Sequence, residues 1–118
     1  MEIREAILQL QYSEKMKSGL IIAIGLLDQL SSLKQEELSG GKKVLGWYLE
    51  GLLREIRIAE GVLGIGVFND LERKMMELIG RVQMSQFQEA QRSFSESISL
   101  ATTSCQASMT LLMDKKIM

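Results

Sequence analysis

A chain of 118 residues with 46% hydrophobic and 25% charged side chains has the size and composition of one globular domain, here taken as 1–118. Its 14 basic and 15 acidic side chains leave a formal net charge of −1, which argues against nucleic acid as a partner, because phosphate binding needs a concentrated basic field. The absence of His and the presence of one Cys remove the commonest general base, the commonest transition-metal ligand and any internal disulfide.

There is no Pro, and aromatic residues make up 5% of the chain, while Leu, Ile, Met, Glu, Gln and Lys outnumber the strand formers. Such a chain has few places that must be irregular, so the sequence predicts an all-α protein. Met1-Glu2-Ile3-Arg4-Glu5 is acidic where a signal peptide carries basic residues, and the apolar run Gly19–Leu27 is much shorter than a membrane span. The expected setting is cytoplasmic, with no membrane partner.

The first predicted segment runs from Glu2 to Leu38, with Ile3, Ile7, Leu10, Met16, Leu20, Ile24, Leu27 and Leu30 at helical spacing. Between Leu20 and Leu27 the segment is apolar on nearly every side, which predicts a helix surrounded by others. Ser39-Gly40-Gly41 then reads as a turn, because paired glycines end helices.

A second segment starts near Lys42. Leu45, Leu49, Leu52, Ile56, Ala59 and Leu63 step by 4, 3, 4, 3 and 4, the heptad seam of packed antiparallel helices. The glycines of Gly61-Val-Leu-Gly-Ile-Gly66 place a break near 64–69, with Asn69 and Glu72 at capping-box spacing. The competing possibility is one unbroken helix, since Leu63, Val67, Leu71, Met75, Leu78 and Val82 still hold a seam. A third segment covers Asp70–Val82.

The fourth segment spans Ser85–Lys115, with Ser85 and Gln88 again at capping-box spacing. Phe87, Ala90, Phe94, Ile98, Ala101, Cys105, Met109 and Leu112 form its apolar stripe. Between Ser93 and Ser108 it holds six Ser and two Thr, unusual for an exposed helix, and small side chains let another helix come close. The small residues point either to an internal bundle helix or to a docking face, completed by Met109, Leu112, Met113, Ile117 and Met118, whose apolar groups adapt to a partner.

Few groups carry chemistry. The glycine cluster lacks the order of a dinucleotide loop and the Lys-Ser/Thr of a P-loop, so it reads as a hinge. Glu50 with Arg54, and Glu77 with Arg81, have the spacing of intrahelical ion pairs. Cys105 lies on the apolar stripe with no base beside it. Trp47 falls off the Leu45/Leu49/Leu52 seam and suits either a third-helix contact or an anchor for a partner.

The expected architecture is an antiparallel bundle of three to four long helices, completed by homodimerisation. The function that fits is a non-enzymatic helical interaction protein (an adaptor, small chaperone or assembly subunit) needing no cofactor. Its partner is a second copy or another protein held helix-in-groove. The candidate partner-binding residues are Trp47, Ser97, Ala101, Ser104, Ser108, Met109, Leu112 and Met113. Two alternatives are a ligand-binding regulatory bundle and a carboxylate–Mg²⁺ hydrolase, the latter needing Glu or Asp residues that face one another across the bundle.

Overall fold

Helical spacing becomes helix in all four segments. The computed structural model describes residues 1–64 and 66–117, and among these the secondary structure is α1 (Ile3–Leu30), α2 (Gln35–Leu63), α3 (Asn69–Gln83) and α4 (Phe87–Asp114). Ile65, inside the glycine cluster, and Met118, at the end of the apolar tail, lie outside the described residues.

Each helix packs on two others: α1 on α2 and α4, and α3 on α2 and α4. The four therefore form an antiparallel ring around one core, to which α2 contributes Leu45, Leu49, Leu52, Leu53, Ile56 and Ala59. Opposite them stand Met16, Leu20, Ala23 and Leu27 of α1, Leu71, Met75 and Leu78 of α3, and Ala90, Phe94 and Ala101 of α4. Only α3 is short, at 15 residues against 28 or 29 for the others. Its partners across α4 run from Ser93 and Glu96, facing Glu77 and Lys74, back to Gln86, facing Arg81. Beyond Ala107 nothing of α3 accompanies α4, and that end of the molecule has three helices with α1 in the middle. The shape is long, 53 × 23 × 17 Å between Cα extremes, and the radius of gyration is 15.5 Å. A compact chain of this length would have about 13.5 Å.

The first turn departs from the sequence expectation. Helix α1 stops at Leu30 rather than continuing to Leu38, and Gly40-Gly41 lies inside α2. Ser31 and Ser32 make the break, turning their hydroxyls back onto the carbonyls of Asp28 and Gln29, each at 2.8 Å. Glu36 and Glu37 then occupy the first turn of α2, where the helix dipole favours negative charge. Gly41 serves close packing instead of a turn: a Cβ there would lie 2.6 Å from Leu30 Cδ2 and 2.9 Å from Leu33 Cδ1.

The break between α2 and α3 falls where the glycines place it. Gly64 adopts φ 106°, which a side chain resists, and its N–H donates to the Glu60 carbonyl at 2.8 Å. The Asn69 capping box does not form, because the cap position is Phe68 and Asn69 is already helical. The Ser85 box also fails; Ser85 takes φ 59° in a tight turn, and its hydroxyl accepts from Lys42 Nζ at 2.8 Å.

These two kinds of glycine have opposite expected responses. Gly61→Ala should stabilise the chain by about 0.5–1 kcal/mol in urea unfolding, since an added Cβ meets nothing within 4 Å and Ala is the better helix former. Gly41→Ala should yield no such gain, because Leu30 and Leu33 must move. Equal responses would contradict the packing at the first turn.

Candidate functional site

Helix α4 explains its own small residues. Ser97, Ala101 and Ser108 are fully buried and Leu112 is buried, so these four candidates lie inside the bundle. Ser104 is half-buried and joins α4 to α1: Ser13 Oγ meets Ser104 Oγ at 2.7 Å, and Gln9 Nε2 donates to the same hydroxyl at 3.1 Å. Ser97 and Ser108 donate to the carbonyls one turn back, at 2.8 and 3.1 Å, which satisfies them without a partner. The serines thus serve a close α1–α4 contact against Ala6, Ser13 and Ala23, all fully buried. Of the candidate residues, Trp47, Met109 and Met113 remain exposed to solvent.

Cys105 is buried beside α1. Burial, and next the charge of Glu14, push its thiol above the usual range, opposed by Lys17 and a hydrogen bond from Ser13. Such a thiol stays protonated near neutral pH and is a poor nucleophile.

Of the two expected intrahelical ion pairs, Glu77–Arg81 is present at 3.7 Å. Glu77 also receives Lys74 at 2.8 Å, and Lys74 reaches Glu96 of α4 at 2.5 Å, tying α3 to α4. The hydrogen bond from Lys74 holds the Glu77 carboxyl below its ordinary range. Glu50 has no salt bridge to Arg54 among the described residues.

One carboxyl pair does face across helices. Glu60, near the end of α2, is only 7% exposed and shares a hydrogen bond with Glu72 in the first turn of α3. Burial comes first, then the hydrogen bond and charge of Glu72, in pushing Glu60 up to about 7, with Arg57 opposing. The two carboxyls thus stand side by side across the Gly64 break, with Glu60 favouring its protonated form there. No group of three or more Cys, Asp and Glu side chains that could hold a metal ion occurs among the described residues.

The largest departure from expectation is on α1. Its middle is not surrounded: Ile22 is 58% exposed and Leu26 42%. On α2, Val44 and Trp47 are 59% and 65% exposed. Helical spacing sets Leu26 on the same side of α1 as Ile22, four residues on, and Val44 on the same side of α2 as Trp47, three residues back, so the four share one outer face. Ile22, Trp47, Gly19 and Gly51 line a groove of about 500 Å³ between α1 and α2, closed at one end by the Lys15–Glu55 salt bridge at 3.1 Å. At the groove floor the helices approach closely, since a Cβ on Gly19 would lie 2.6 Å from Leu52 Cδ2. Tyr48 Oη donates to the Gly19 carbonyl at 3.3 Å. Trp47 also lines the groove between α2 and the end of α3, with Ser39, Lys43, Glu50 and Gln83.

Of the α1/α2 face, the sequence singles out only Trp47. Ile22 and Leu26 were hidden in an apolar run whose individual faces periodicity does not separate. Comparison with protein families, curated proteins and solved structures gives no match to this chain.

Proposed function

We propose that this chain is a non-enzymatic helical interaction protein, an adaptor, small chaperone or assembly subunit, which docks a protein helix on the outer face of the α1/α2 hairpin. The observation that carries this reading is the cluster of Ile22, Leu26, Val44 and Trp47, four large apolar side chains held in water on one face. Apolar side chains exposed singly are ordinary, but a contiguous patch marks a binding surface. Trp is also the residue type most enriched among interface anchors, and Trp47 stands on the ridge between two grooves. Here lies the difference from the sequence reading, which gave most of the docking role to α4.

No helix among the described residues is long and apolar enough to cross a membrane, and the rim of the face mixes Lys15, Lys43, Glu50 and Glu55. Mixed charge suits a protein surface. The one Cys, unpaired and buried, supports a reducing compartment such as the cytoplasm.

Photo-crosslinking tests the reading. With Trp47→benzoylphenylalanine in the full chain, expressed in its own cells, protein adducts should form in clear excess over the same substitution at exposed Arg92 on α4. Equal yields at the two positions would overturn the docking role.

A further inference from the structure

We infer that the occupant of the α1/α2 face is a second copy of this chain, paired antiparallel about a two-fold axis at Trp47. This rests on the reading of that face as a docking surface and adds the identity of the partner. Gly40, Val44, Trp47 and Gly51 fall on one stripe of α2, within about 60° of one another at the α-helical turn. Ile22 and Leu26 flank that stripe from α1, with Gly25 just beyond.

The glycines are an observation separate from the exposed apolar groups. An added Cβ at Gly25, Gly40 or Gly51 meets nothing within 4 Å, so packing inside one copy does not require them. Each nevertheless weakens its helix relative to Ala. A helix laid across the face from outside would use them, because the missing side chain lets backbones approach.

The face is complementary to itself. It carries bulky groups (Trp47, Val44, Ile22, Leu26) and flat ones (Gly25, Gly40, Gly51), so a copy supplies both knob and hole. With the axis at Trp47, the two indoles meet and Val44 lies over Gly51 of the second copy. Across α1 the same axis sets Ile22 opposite Leu26 of the second copy, since Trp47 stands level with the turn between them. Lys43 and Glu50 share the edge turned toward α3, both exposed and neither in a salt bridge among the described residues. The same axis sets Lys43 opposite Glu50 of the second copy, and it does so twice. Charge balance along this edge favours a like partner over a strongly acidic or basic one.

The size is also sufficient. Two helices of about 28 residues side by side present roughly 40 × 20 Å, on the order of 800 Å², and a stable interface takes about that from each partner.

Sedimentation velocity on the full chain, from about 1 µM to about 200 µM, decides the matter. The expected result is a concentration-dependent dimer, with the emission of the sole tryptophan, Trp47, moving to shorter wavelength as the dimer forms. Lys43→Glu and Glu50→Lys should each weaken the dimer roughly tenfold or more at low salt. Combining the two should restore it to within about threefold, since opposite charges again face each other. These exposed positions leave the core untouched. A wild-type chain that stays monomeric throughout would overturn self-pairing; adducts at position 47 with a different protein would then still uphold the docking reading. A dimer indifferent to Trp47→Ala and to each single charge reversal, Lys43→Glu or Glu50→Lys, would overturn the assignment of this face.

Discussion

Glu60→Gln should flatten the dependence of folding stability on pH between about pH 5 and about pH 8. Glu60 holds its proton up to about 7 in the folded chain, against an ordinary 4.5 when exposed. Its stabilising contribution is therefore complete below 4.5 and is lost as pH rises through about 7. A shift of this size corresponds to at most about 3 kcal/mol, and water near the end of α2 brings the expected loss to about 2 kcal/mol. An amide of the same shape keeps a donor toward Glu72 at every pH. The variant should thus match the wild type near pH 5 and exceed it near pH 8, in urea unfolding at equal protein concentration. Glu77 has its carboxyl held low by Lys74 and drives stability the opposite way, losing its contribution as pH falls. That trend is common to both proteins and cancels in their difference. Parallel pH profiles would show that Glu60 ionises freely in the folded chain.

Phe94→Ala should have the largest effect of any single core substitution, about 3–5 kcal/mol. Phe94 is fully buried in α4 and is the largest of the fully buried side chains. Removing the ring loses its transfer free energy and leaves a void that four packed helices cannot fully close. Natural domains of this size have only about 5–15 kcal/mol in total, so the variant should sit near the threshold of folding. Phe87→Ala, half-buried at the start of the same helix, should cost clearly less and serves as the comparison. Calorimetry or urea titration reads both, and a loss below about 1.5 kcal/mol for Phe94→Ala would contradict a closed core around the ring.

The sequence carried the helices and one seam very clearly. The steps from Leu45 to Ala59 became buried positions of α2, because a heptad of large aliphatic side chains is the widest apolar surface that helix can turn inward. The break near Gly64 was also legible, since three glycines lie within six residues there. Gly40-Gly41 suggests a turn but lies within α2, because a glycine that ends a helix and one that admits a neighbouring leucine look alike in one dimension. The serines of α4 were ambiguous for a related reason: only the third dimension shows that Ser104 meets Gln9 and Ser13. The Glu60–Glu72 pair joins residues on either side of a turn, and residue spacing does not tell which carboxyls a turn will bring together. The α1/α2 face had the weakest signal. An apolar run from Ile21 to Leu27 says that much must be buried, yet one chain leaves Ile22 and Leu26 in water.

The shortness of α3 gives the molecule an uneven thermal life. Where all four helices run together, opening one element disrupts two interfaces. Where α1 alone links the ends of α2 and α4, opening the last turns of α4 disrupts one. Native-state fluctuations should therefore begin at that end, with the far half of the bundle still closed. Cys105 lies at its inner border, so the accessibility of its thiol acts as a built-in gauge of how often the three-helix end opens while the rest stays folded.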